Sequence, residues 1–192
     1  MRSDRMTIRE IAGFCPEEAV WKMIADVSEL LLKEGYGNML TPDSIVVEGY
    51  TFMVETGGEG ISPSTEFLAP EHESGVKSDE IQMVWSLGAL AYYTATGHII
   101  FGGHGGRYQK THPSVALPVL PKGLQALTPV LQKCLCFAPD ERIKLNDLRE
   151  LAQQGLKACE KIQRRQSVSA TNEPNKEVKP IGEKWPEEMI EV

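Results

Sequence analysis

Phe67-Leu68-Ala69-Pro70-Glu71, followed after a short gap by Ile81-Gln82-Met83-Val84-Trp85-Ser86-Leu87-Gly88-Ala89-Leu90-Ala91-Tyr92-Tyr93 and then Thr96-Gly97, is the stretch on which the fold turns. The run from 81 to 93 is apolar on nearly every face, which predicts a helix inside the domain, since a surface helix keeps a polar stripe. Gly88 leaves room for another backbone to come close. Gln82 and Ser86 interrupt the run, and it falls short of the ~20 residues that span a bilayer. A buried central helix calls for other helices around it, so the expected fold is mainly α.

Upstream, Pro16 sits where a first helical residue belongs, Glu17 and Glu18 follow, and Val20, Ile24, Val27 and Leu31 repeat at helical spacing until Lys33 and Gly35 close the element. Residues 6–11 fit either a short strand or a helical turn. Ile45-Val46-Val47 and Thr51-Phe52-Met53-Val54, joined by Glu48-Gly49-Tyr50, read as a small β-hairpin, with a Gly-rich turn at 57–60 leading away.

Downstream, Gly102-Gly103-His104-Gly105-Gly106 is expected to be loop, because so many glycines cost backbone entropy in a regular element. Leu124, Leu127, Val130, Leu131, Cys134 and Leu135 form a helical stripe in which Pro129 implies a kink, a disturbed first turn or a start capped by Thr128. A last helix carries Leu145, Leu148, Leu151, Ala152, Leu156, Cys159 and Ile162, and its stripe stops as Arg164-Arg165 begins. The division expected is a domain over 6–162 and a flexible acidic tail over 163–192. Trp185-Pro186-Glu187-Glu188-Met189-Ile190-Glu191-Val192 regains apolar character and fits either a short docking peptide or a segment that folds back.

A formal charge of -7 with no early cluster of Lys and Arg argues against nucleic-acid binding. The 41% hydrophobic share supports a real core. Cys15, Cys134, Cys136 and Cys159 lack a C-x-x-C pair or the crowding of a disulfide scaffold, which points to reduced thiols. No secretory pattern opens the chain, so a cytoplasmic protein without membrane association is expected.

Between about 16 and 160 these features resemble a protein-kinase C-lobe. In that family H-R-D-L-K-P-x-N forms the catalytic loop, and Tyr36-Gly37-Asn38-Met39-Leu40-Thr41-Pro42-Asp43-Ser44-Ile45-Val46-Val47 stands in its place. The resemblance puts Met39 where the proton-accepting Asp belongs, Thr41 at the loop Lys and Ser44 at the metal-binding Asn. A thioether does not accept that proton. Glu55-Thr56-Gly57 falls at the magnesium-binding D-F-G, and Met83 at the aspartate that braces the loop.

What survives is architectural. In the family the Glu of A-P-E pairs with a buried Arg, and Phe137-Ala138-Pro139-Asp140-Glu141-Arg142-Ile143 supplies that Arg, so the resemblance implies a structural pair Glu71–Arg142. At 192 residues the chain is short of the ~250 a two-lobed kinase needs. No Gly-rich strand pair or V-A-I-K lysine precedes the C-lobe, so the N-lobe is expected to be absent. An opening like Ile8-Arg9-Glu10-Ile11, then an acidic-start helix bearing Trp21, then a C-lobe alone, is similar to the KIND domain, the kinase non-catalytic C-lobe domain.

The resemblance implies a non-catalytic protein-interaction or scaffold module, a pseudokinase without cofactor or metal, whose partner is a protein or a basic helical peptide. A groove over Met39, Tyr50, Phe52 and Met53 is the expected binding face. The alternatives are a divergent phosphotransferase completed by a separate N-lobe partner, with Glu55 as metal ligand, and a regulatory subunit docking on an active kinase through the tail. His72, His98, His104 and His112 lack metal-ligand spacing. The glycine loop lacks the G-K-[ST] ending of a phosphate loop. Arg164-Arg165-Gln166-Ser167-Val168 makes Ser167 a candidate phosphosite.

Overall fold

The computed structural model describes residues 5–35, 40–55, 64–73 and 78–171, the last six by backbone alone. Its described residues are mainly helical, with one small antiparallel sheet. The elements are β1 (Arg5–Thr7), α1 (Ile8–Ile11), α2 (Glu17–Glu34), β2 (Ile45–Glu48), β3 (Thr51–Val54), α3 (Glu80–Thr96), α4 (Gly105–Thr111), α5 (Thr128–Cys134) and α6 (Leu145–Thr171). Both readings of residues 6–11 come true in turn, a strand and then a single helical turn. The sheet therefore has three strands, ordered β1-β2-β3, where the sequence suggested a hairpin.

The centre is α3. Trp85, Leu87, Ala89, Leu90 and Ala91 have no exposed surface, because every face meets another element. Asp79 caps its start by accepting from Gln82 N–H at 2.9 Å, and Gly97 ends it in the left-handed region. A Cβ on Gly88 would stand 2.5 Å from the Cβ of Cys134, so α5 lies directly against α3 there. Pro129 sits in the first turn of α5, after a 3-10 turn at Gln125–Leu127, which is where its missing N–H costs nothing.

The two long helices α2 and α6 run antiparallel: Trp21 packs on Gly155, and Glu17 and Glu18 at the start of α2 meet Cys159 and Gln163 on α6. α6 does not end with its apolar stripe at residue 162. It runs on through Gln163, Arg164, Arg165 and Gln166, which favour helix, and is described to Thr171, with Arg164 paired to Glu160 one turn back.

The glycine loop requires a correction. Gly102 and Gly103 are loop, but Gly105 and Gly106 form the first turn of α4. A Cβ on Gly105 would stand 1.7 Å from Glu66 O, and one on Gly106 2.1 Å from Leu68 O. These glycines serve contact between two backbones, and that contact outweighs their poor helix propensity. Just before them Phe101, with φ +53, is turned into the core and is 5% exposed. Its burial offsets the roughly 1–2 kcal/mol of a left-handed non-glycine backbone.

Candidate functional site

The segment 40–55 carries most of the residues marked by the sequence. Thr41 and Ser44 close a turn around Pro42-Asp43 in which each hydroxyl is consumed by the other's backbone. Thr41 N–H donates to Ser44 Oγ at 2.8 Å, Ser44 N–H donates to Thr41 Oγ1 at 3.1 Å, and Ser44 Oγ–H donates to Thr41 O at 3.0 Å. Thr41 is 0% and Ser44 1% exposed. Short hydroxyl side chains satisfy a tight turn from within; buried in this way they cannot meet a phosphate or a metal. Met39 lies outside the described residues.

Asp43, between them, is the one carboxylate of the turn, and it too is engaged. Arg9 of α1 forks onto it, Nε to Oδ1 at 2.6 Å and Nη2 to Oδ2 at 2.7 Å. That charge-assisted pair holds the Asp43 carboxyl below its ordinary range. Arg9 N–H also donates to Pro42 O at 3.2 Å, so α1 grips the turn by both side chain and backbone. Glu55 extends β3 by donating its N–H to Ser44 O at 2.7 Å, and its carboxylate pairs with Arg5 of β1. The two arginines of the β1–α1 segment thus face Asp43 and Glu55, two of the acids of the 40–55 segment.

The expected groove is not formed as drawn. The β2–β3 register sets Phe52 opposite Val47 and Met53 opposite Val46, so adjacent residues point to opposite faces. Phe52 is 3% exposed and belongs to the core, with its N–H donated to Asp26 Oδ2 of α2 at 3.0 Å. It cannot line a surface groove. Met53 is half-buried on the other face, and Tyr50 is exposed at the hairpin tip. Tyr50 O–H donates to Glu18 Oε1 at 2.6 Å, and desolvation, then this bond, push its pKa up. Tyr50 therefore serves as a strut between hairpin and α2.

Glu71 and Arg142 form a bidentate pair, Nη1 to Oε1 at 2.5 Å and Nη2 to Oε2 at 2.8 Å. Met83 is buried in the core at the start of α3. A second buried polar connection was not foreseen: Trp85 Nε1–H donates to Gln109 Oε1 at 2.8 Å, and Gln109 Nε2–H to Leu135 O at 2.7 Å. It ties α3, α4 and the end of α5 together.

The candidate phosphosite Ser167 falls within α6. No group of three or more His, Cys, Asp or Glu able to hold a metal occurs among the described residues, and no helix among them is long and apolar enough to cross a membrane. The four cysteines are free, and burial raises the pKa of each thiol. No model of a known protein family matches the chain, and no characterised protein matches it at a significant level.

Proposed function

We propose that the chain is a non-catalytic interaction module built on the plan of a protein-kinase C-lobe, of the KIND-like kind. The reading rests above all on the closed Thr41–Ser44 turn. In a working catalytic loop the corresponding groups would project toward nucleotide and substrate; here they spend their hydrogen bonds inside the turn. The buried Glu71–Arg142 pair, the enclosed α3 and the capped β3 edge support retention of the frame. Groups that would transfer a phosphoryl are replaced by groups that hold a loop still.

A protein partner is the remaining role for such a frame. Phosphotransfer with Glu55 as metal ligand is less well supported, because its carboxylate is occupied by Arg5. Thermal unfolding with and without ATP and magnesium separates the two. No magnesium-dependent shift is expected. A shift that Glu55→Ala abolishes would overturn the proposal.

A further inference from the structure

The acids of this chain are unevenly placed. Between Glu80 and Asp140 there is no Asp or Glu, although the chain carries 27 elsewhere, and the same stretch holds Arg107, Lys110, Lys122 and Lys133. Its part after α3 folds into one end of the molecule: Gln109 of α4 bonds to Leu135 O, and residues 113–117 meet 132–137 around one recess. Lys110, Lys122 and Lys133 are exposed and form no ion pair. The ion pairs of Arg5, Arg9, Lys22, Lys33, Arg142 and Arg164 all lie outside the stretch. Arg107 is partly balanced, with Nη2–H donating to Thr65 Oγ1 at 3.1 Å and Glu66 close by.

A largely apolar pocket of about 600 Å3 opens in this end, lined by Tyr92, Tyr93, Ile99, Phe101 and Pro118, with His98 beside them. Its backbone frame is fixed. Gly97, Phe101, Gly102 and Gly103 all take positive φ, and Gly105 N–H to Ile100 O at 3.0 Å and His104 N–H to Phe101 O at 3.3 Å close the turn between them. A recess formed in advance lowers the ordering cost of whatever enters it. Both neighbouring segments carry bases: Lys122 follows Pro118 by four residues, and α4 with Lys110 begins two residues after Gly103. Val119, next to Pro118, is 90% exposed and adds apolar surface outside the pocket.

Unpaired bases around an apolar recess attract a partner of the opposite sign that has something apolar to bury. We propose that this end of the molecule receives an acidic polypeptide segment, one apolar side chain of which enters the pocket while its carboxylates pair with Lys110 and Lys122. Nucleic acid fits less well, because four bases spread over a whole end neutralise few phosphates. The inference rests on the reading of the chain as a protein-binding module. It places the partner on residues other than the 40–55 segment, and with a charge opposite to that of the basic peptide which the resemblance implies.

A phage-displayed library of short random peptides, panned on the full chain, tests this, with the selected peptides then measured by fluorescence anisotropy. The peptides expected are rich in Asp and Glu around a large apolar residue. Lys110→Glu and Lys122→Glu should each weaken their binding about fivefold, and Ile99→Ser should weaken it through the pocket. Lys157→Glu combined with Lys161→Glu, exposed positions on α6, should leave it unchanged despite the larger change in net charge. Thermal melts check the fold of each variant, and the exposed lysines decide the matter if Ile99→Ser does not fold. Selection of neutral or basic peptides, or of none, overturns the proposal. So do acidic peptides that ignore both lysine reversals, or that an oligothymidylate of equal charge displaces as well as unlabelled peptide does, which means a general polyanion surface. A chain that selects no acidic peptide and shows no magnesium-dependent shift with ATP loses this inference and keeps the reading beneath it.

Discussion

Replacing Glu71 by alanine leaves a buried cation without its counter-charge. The Arg142 side chain has no exposed surface, and each of its five N–H groups is assigned. Nε donates to Cys136 O at 2.8 Å, Nη1 to Glu71 and to Ile81 O at 3.3 Å, and Nη2 to Glu71 and to Phe137 O at 3.0 Å. Without the carboxylate, three carbonyls must hold a full charge. Breaking a buried pair from one side costs about 3–5 kcal/mol. Glu71 itself is 30% exposed, so water can partly replace it, and the lower end, about 3 kcal/mol, is expected.

With a urea m-value of about 2 kcal/mol/M, that loss lowers the unfolding midpoint by about 1.5 M. For a domain of this size it lowers Tm by about 6–12 °C. Urea titration followed by far-UV circular dichroism reads the change. Glu71→Gln, which keeps one acceptor, should fall between parent and alanine variant. Combining Glu71→Ala with Arg142→Met should recover part of the loss, since the unpaired charge then disappears. A Glu71→Ala variant within about 0.5 kcal/mol of the parent, the range of ordinary surface changes, would refute the reasoning.

Asp43, held below the ordinary carboxylate range by the Arg9 fork, contributes stability that is present above about pH 3.9, its unfolded value, and is lost as pH falls through the lower folded one. Asp43→Asn should therefore flatten part of the acid limb in melting curves between about pH 2 and 5. Cys159 is pushed up to about 11 by desolvation and by Glu17; its contribution is complete below about pH 8.5 and fades as pH rises toward that higher value. Cys159→Ser should make alkaline melting temperatures fall less. A Cβ on Gly155 would stand 2.4 Å from the Trp21 ring, so Gly155→Ala should lose up to about 2 kcal/mol net of the ~1 kcal/mol gain in helix propensity, with altered Trp21 emission. A more stable variant would show that α2 and α6 tolerate wider spacing.

The helices α2 and α3 were legible because their signals are local. Pro16, two glutamates and Gly35 bracket the first, and an apolar run with Thr96-Gly97 at its end marks the second. The β2–β3 pair was legible from two β-prone runs around Gly49. Features fixed by distant parts of the chain left no such trace. Arg9 and Asp43 are 34 residues apart and Trp85 and Gln109 are 24 apart, so no periodicity connects them. α4 was hidden by the glycines that let it touch the 64–73 segment. Phe52 was misassigned to a groove because alternation says that neighbours in a strand face opposite sides, not which side is covered. The pairing of Glu71 with Arg142 came from resemblance, and local pattern alone would have missed it.

The backbone contact of Gly105 and Gly106 with Glu66 and Leu68 bears on regulation. Where side chains separate two elements, a loop can swing by repacking them. Here main chain rests on main chain, and the next anchor along the segment, Glu71, is bolted to a buried guanidinium. Residues 66–71 are thereby clamped at both ends, which removes the hinge that a switchable loop requires. A rearrangement of this segment would have to break both contacts together.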